Sequence, residues 1–467
     1  MDKDQIISEL IKRIAKLEKE HESLRKENVW LKQRVKELEA RYNSNSNNSS
    51  KPPSNDGYRK QPAFPRKTKG KKEGQKGHTG SNLHQVENPD KIIKCLPQTC
   101  SCGHVFNPWE PELSERRQVF DLPQPGLIIT EYQIHKAQCP VCGKVHRGKA
   151  PEEVKAPTQY GNGVRSYVVM LNTLFKLPYH KIQLLFEDLF GFPINESTIY
   201  AANEKCYNNL AYSEEVIKEK LIASEVAHAD ETGLRIEGRL QWLHNMSNNL
   251  YTYLFVHANR GKKALEGEKS LLNKFSGWLV HDAWNSYFKF THIKHALCGA
   301  HILRDLQGVI ENEGSKWASV FKKFLLDVYK MPFQETIKRQ QQIKSRYMRI
   351  CLLGEKAEPP PIRTKGRMKH SSGRNLVERL IKHQDMVLAF AFHQQVPFTN
   401  NQAERDVRPA KIKQKISNSF RSFKGAEMYA RIEGFISTAR KNNKNVFSEL
   451  CSTFNGYNFL SKNIAGK

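Results

Sequence analysis

The stretch from 221 to 310 constrains the fold of this chain more than any other. Strand-like runs at 225–234, 240–246 and 250–257 are separated by short polar turns and read as neighbouring strands. A helix is expected at 262–275, then a strand from Trp278 to Asp282, then a helix from His295 to Leu306. Three adjacent strands, a crossover helix and a fourth strand are the order of a ribonuclease-H-like α/β core. Val226, His228 and Asp230 alternate with Ala227 and Ala229, and Thr232-Gly233 reads as the end of the run, so Asp230 is expected at the strand's edge. Asp282 closes the apolar run Trp278-Leu279-Val280. Glu404 sits on a helix expected from Pro397 to Lys415. These acids are 52 and 122 residues apart along the chain, so they meet only in three dimensions.

Three carboxylates at element ends suit a pair of hard divalent ions, Mg²⁺ or Mn²⁺. Such ions neutralise a phosphodiester, activate an oxygen nucleophile and stabilise the leaving oxygen. In that arrangement Asp230 bridges both ions and Asp282 and Glu404 each hold one. Each acid also has a plain explanation: Asp230 and Asp282 can accept hydrogen bonds from the turns that follow them, and Glu404 can pair with Asn401 in a capping box. The joint occurrence of the three in one basic, strand-rich chain favours the metal reading.

The partner is set by charge. The chain carries 75 Lys+Arg against 48 Asp+Glu, a formal charge of +27, which draws polyanions and favours phosphate contacts. Double-stranded DNA is therefore the expected partner. No run of about 18 apolar residues is present, which argues against a membrane span. A charged, heptad-patterned N-terminus is unlike a targeting peptide, so a cytoplasmic, nucleoid-associated protein is expected. Arg304, Arg405, Arg408, Lys411, Lys413 and Lys415 are the candidate phosphate contacts.

The rest of the chain divides into modules. Residues 1–42 repeat leucine every seventh position, at Leu10, Leu17, Leu24, Leu31 and Leu38, with Ile7, Ile14, His21, Asn28 and Val35 on the same seam. Opposite charges at Arg13/Glu18, Glu20/Arg25, Glu27/Lys32 and Arg34/Glu39 fit a parallel coiled coil, a leucine zipper that makes the protein at least a dimer. Residues 43–90 read as a disordered linker, and between 51 and 80 it carries nine Lys/Arg against two acids. Residues 91–150 hold Cys100 and Cys102, then Cys139 and Cys142, each pair followed by glycine. They suit a structural zinc-ribbon-like site, with Cys95, His104 and His146 as substitute ligands because the first pair is one residue short. Residues 151–215 read as helix, Gly191-Phe192-Pro193 turn, helix, with Asn195 or Ser197 as the cap; a helix-turn-helix would turn 196–200 toward a major groove. Residues 221–310 form the first part of the core, 311–395 a helical insertion broken at Pro359-Pro360-Pro361, 396–445 the last part of the core, and 446–467 a tail.

Several stretches resemble one family. Asn48-Ser49-Ser50-Lys51-Pro52-Pro53-Ser54, Gly74-Gln75-Lys76-Gly77-His78, Asp230-Glu231-Thr232-Gly233, Cys298-Gly299-Ala300-His301-Ile302-Leu303-Arg304 and Asn400-Asn401-Gln402-Ala403-Glu404-Arg405 look like the bacterial transposases of the insertion sequence 66 family. The resemblance runs over nearly the whole chain. It implies a DDE transposase whose triad falls on Asp230, Asp282 and Glu404, cutting at the element's ends and joining the freed 3′-hydroxyl to target DNA. It also implies that other element-encoded proteins assist. Cys298 and His301 resemble a motif that follows the second aspartate in related cores and are candidates for supporting the site. The alternative from another class is a non-enzymatic DNA-binding regulator, which accounts for the first 210 residues and leaves the α/β half without a purpose.

Overall fold

A computed structural model of the chain describes residues 3–45, 48–49, 83–109, 112–123, 125–333, 335–360 and 370–461. The basic stretch 51–80 lies outside the described residues. No helix among the described residues is long and apolar enough to cross a membrane.

The first element is a single helix, α1 (Lys3–Asn43), of 41 residues. The i,i+4 pairs Lys16–Glu20 and Glu22–Lys26, at 4.0 and 3.4 Å, add a few tenths of a kcal/mol each. Its leucine seam stays exposed, with Leu17 at 57% and Leu24 at 62%. Residues 83–150 have little regular structure beyond the antiparallel pair β1 (Lys136–Gln138) and β2 (Val145–Arg147).

A helical block follows. Helix α2 (Asn162–Val169) runs on through one π turn at Met170–Leu174. Helices α3 (Tyr179–Phe190) and α4 (Glu196–Asn209) flank the break at Gly191, whose φ of +70° closes α3. Asn195 is the N-cap of α4: its side chain accepts the Ser197 backbone N–H, at 2.9 Å. Helix α5 (Ala211–Ile222) leads into the sheet.

The sheet comprises β3 (Val226–Ile236), β4 (Arg239–Ser247), β5 (Thr252–His257), β6 (Trp278–His281) and β7 (Lys294–Leu297), in the order β5-β4-β3-β6-β7. The first three are antiparallel neighbours, and β6 and β7 run parallel to β3. Even positions of β3 share a face. Leu234 and Ile236 on it pack with Leu243, Leu254 and Val256 against Ala410 of α13 (Asn401–Ser417) and Tyr429 of α14 (Phe423–Lys441). Odd positions Ala227 and Ala229 pack on the other face with Ile217 of α5, Phe275 and Tyr287. Helices α8 (Lys316–Lys330), α9 (Ile337–Ala357) and α10 (Ser372–Lys382) pack on α7 (Gly299–Glu313) around Phe321, Tyr347 and Leu376, and two short helices, α11 (Gln384–Val387) and α12 (Ala389–Phe392), follow.

The structure departs from the sequence expectations in four places. The helix expected from Pro397 starts only at Asn401, with Phe398 O taken by the Gly299 N–H. Strand β3 does not end at Thr232-Gly233. It continues to Ile236 because Glu237 and Gly238, with φ of +52° and +75°, turn the chain back so that Gly233 pairs with Trp242. The helix expected at 262–275 is only α6 (Lys262–Leu265), because Gly267 disfavours helix and the chain turns there, burying Leu271, Leu272 and Phe275 without helical spacing. The helix expected from His295 begins at Gly299. His295, Ala296 and Leu297 are drawn into β7 by pairing with β6, and the Cys298 N–H continues that ladder to His281 O.

Candidate active site at the end of the sheet

Asp230 lies mid-strand on the even face of β3, the face that α13 covers. Asp282 is the residue immediately after β6, the parallel neighbour of β3. Its carboxylate accepts the Trp284 N–H at 3.0 Å, and Ala283 between them has φ +70°. Glu404 is in the first turn of α13. Asn245, opposite Asp230 on β4, donates its amide to Ala403 O at 3.4 Å, which seats that turn over Asp230. The topology thus brings the three acids to one end of the sheet.

Their electrostatics agree. Burial, then the negative charges of Glu231 and Asp282 and, more weakly, Glu404, push the Asp230 carboxyl up to about 8, against the pull of the Glu231 N–H that it accepts. A buried carboxyl among like charges is a site short of positive charge. The donor set is hard oxygen, the chemistry that Mg²⁺ and Mn²⁺ require.

Glu404 is held by cations of the protein. Its Oε1 lies 3.4 Å from Arg304 Nη2 and 3.6 Å from His301 Nδ1. Burial lowers the His301 pKa, but Cys298 first and then Glu404 outweigh it and raise it to about 9. Cys298, His301 and Glu404 are the group of potential metal ligands that lie within 4.8 Å of one another among the described residues. The three acids of the triad are not all within that distance.

Four residues received no role in the sequence reading. Asn400, 1% exposed, ties three elements together. Its amide donates to Ala229 O at 2.8 Å, its Oδ1 accepts from His228 Nδ1 at 2.9 Å, and its backbone N–H reaches Cys298 Sγ at 3.1 Å. Glu231, on the odd face, accepts from Tyr287 Oη at 2.7 Å and from Arg260 Nε at 2.8 Å. Both Asn400 and Glu231 lie in the motifs quoted above. Tyr287 and Arg260 carry no local signal in the sequence.

The basic residues of α13 divide by face. Arg405, Arg408 and Lys415 are exposed. Lys411 is half-buried and donates to Gly233 O. Lys413 is a correction to the expected row of phosphate contacts. It is 8% exposed, donates to Asn172 O at 3.0 Å and lies over the Tyr429 ring. Burial first, then Lys176, lowers its pKa to about 8. Its amine is committed inside the protein.

The two cysteine pairs form similar tight turns. Gly103 N–H donates to Cys100 O and Gly143 N–H to Cys139 O, both at 2.9 Å, with φ of +92° and +70° at the glycines. Within each pair, hydrogen bonds from the second cysteine lower the pKa of the first, Cys100 by Cys102 and Cys139 by Cys142. The four thiols are not gathered into one ligand set among the described residues.

Residues 157–428, more than half of the chain, match the family model described as Transposase IS66 family. Residues 3–84 match a second model, described as a family of unknown function (DUF6444). No curated protein matches the chain.

Proposed function

The chain belongs to the IS66 transposase family, and from that premise we propose that it is a DDE transposase acting at the nucleoid. It hydrolyses a phosphodiester at each end of its element and directs the freed 3′-hydroxyl onto target DNA. The observation that carries this reading is the placement of three acids from distant segments: Asp230 on β3, Asp282 just past its parallel neighbour β6, and Glu404 in the first turn of α13, which Asn245 opposite Asp230 ties down. The sheet, with three antiparallel strands followed by two parallel ones, fits a ribonuclease-H-like core, and the insertion α8–α10 precedes the helix of the third acid.

Asp230, Asp282 and Glu404 would hold two divalent ions, which when bound supply charge neutralisation at the scissile phosphate. The chain's own groups do the rest. His301 and Arg304 restrain Glu404 until it is needed at the centre, and Arg304 then turns to a phosphate. Arg405, Arg408 and Lys415 hold the backbone of the DNA near Glu404. Asn400 keeps the start of α13 in register with β3. Helix α4 presents Ser197 and Tyr200 to a major groove, the cysteine turns close on structural Zn²⁺, and α1 pairs with a second copy.

The test uses purified protein, Mg²⁺ or Mn²⁺ and a labelled duplex carrying the element's end. Nicking is expected, and Asp230→Asn should lower its rate by about a thousand-fold or more. A protein that shifts the duplex but never nicks it, with Asp230→Asn indistinguishable, is the DNA-binding regulator instead. Precleaved ends with a target plasmid then separate strand transfer from hydrolysis alone.

A further inference from the structure

A second cluster lies beside the acids at the same end of the sheet, and neither the sequence reading nor the family assigns it a role. Arg260 follows β5; its Nε donates to Glu231 Oε1 at 2.8 Å, and its Nη2 lies 2.6 Å from the same oxygen in an ion pair. Its guanidinium sits between two indoles, 4.5 Å from the Trp284 ring centre and 5.0 Å from that of Trp242. The loop that carries it is pinned. His244 Nε2 is 3.2 Å from Asn259 O, and Asn259 N–H donates to His257 Nδ1 at 2.9 Å. Trp284 is fixed in turn by its N–H bond to Asp282, so the cluster and the second acid share one turn.

Neutralising Glu231 explains part of this arrangement and leaves the rest over. The Glu231 side chain is 1% exposed, whereas that of Arg260 is 40% exposed. Among the described residues the Arg260 Nη1 group has no hydrogen-bond partner. An ion pair needs no indole on either side, and Trp242 and Trp284 are both partly exposed. Lys262 and Lys263, exposed on α6, extend the positive charge outward.

We propose that Trp242, Arg260 and Trp284 form a binding subsite for an unstacked nucleotide of the DNA strand that enters the acidic centre. A planar cation held between aromatic rings continues a stack onto which a base can add, and the free guanidinium edge takes a phosphate. Every base has an aromatic face, so the subsite is tolerant of sequence. A base within a duplex cannot reach it, so it selects frayed or single-stranded DNA. This rests on the reading of the acids as a DNA-cleaving centre, beside which a strand must open.

The full chain is titrated, with Ca²⁺ replacing Mg²⁺ to prevent cutting, against a dT oligonucleotide and a blunt duplex of equal length. Trp284→Ala and Arg260→Lys should each weaken single-strand binding roughly ten-fold while leaving duplex binding within about two-fold. Arg260→Lys keeps a cation beside Glu231, and an unchanged melting temperature shows that the core survives. Arg260→Ala should also lower the salt slope on the single strand by about 0.7. Unchanged single-strand affinity in both variants overturns the subsite, as does an equal loss on both DNAs. Nicking by the unaltered protein reports separately. Nicks without a single-strand effect sink the subsite alone, and a single-strand effect without nicks sinks the catalytic reading alone.

Discussion

Helix α1 and strand β3 both space their apolar residues regularly, yet one seam is covered and the other is bare. Leu234 in β3 is fully buried under α13 and α14, whereas Leu24 in α1 is 62% exposed. A strand in mid-sheet finds its cover within its own chain. A 41-residue helix with a leucine at every seventh position leaves its stripe in water, which forfeits about 25 cal/mol per Å² of apolar surface that a second copy would recover. The sheet half therefore covers its own seam, and the α1 seam is the surface that the proposed pairing with a second copy would cover.

The sharpest way to break this comparison is to charge the seam. Leu17→Asp with Leu24→Asp should convert a dimer to a monomer in sedimentation, raising the dissociation constant by roughly a thousand-fold or more. The unfolding of the core should stay within about 0.5 kcal/mol. An unaltered chain that is already monomeric at micromolar concentration would mean that the seam does not pair.

The cysteine turns come next. About one zinc per chain should accompany the purified protein, and Cys139→Ser should remove it and open residues 95–147 to protease while nothing changes in the core. Protein free of zinc at the outset would leave the two turns as turns only.

The smallest effect compares two lysines two residues apart on α13. Lys413→Met should stabilise the protein by about 1 kcal/mol at pH 7 and leave DNA affinity unchanged. Lys415→Ala should leave stability alone and lower the salt slope of duplex binding by about 0.9. The pH dependence has a definite sign. The folded pKa of Lys413, about 8, lies below the ordinary 10.5, so the folded state binds fewer protons between those values. Stability from this group is full above 10.5 and is lost as the pH falls toward 8. A melting curve across that window should show this rise with pH in the unaltered protein and lack it in Lys413→Met.

Much of the candidate site was legible because its acids stand where local pattern changes. Asp282 ends an apolar run and remains at its boundary in the folded protein; Glu404 falls inside a helix expected from Pro397, and because that helix starts only at Asn401 it lies in the first turn. Asp230 was legible as a residue and misjudged as a position, since Thr232-Gly233 looks like a stop until Trp242 pairs with it across the hairpin. The burial of Lys413 has a signal in the helical spacing. Ala403, Val407 and Ala410 lie on the buried face at helical spacing, and the next position on that stripe is 413. Arg260 had none, because its two indoles and Glu231 arrive from three other segments.

By itself the sequence determined the elements that depend on near neighbours. These are the α1 heptad, a cap at Asn195 or Ser197, the alternation in β3, the glycine turns after each cysteine pair and the basic balance that calls for a polyanion. Only the tertiary structure decided which face each charge took. Period-two alternation says that Asp230 and Glu231 point opposite ways, but not which of them meets α13. That choice follows from the packing of Leu234 and Ile236 beneath α13 and α14, a contact between segments about 180 residues apart that no local preference encodes.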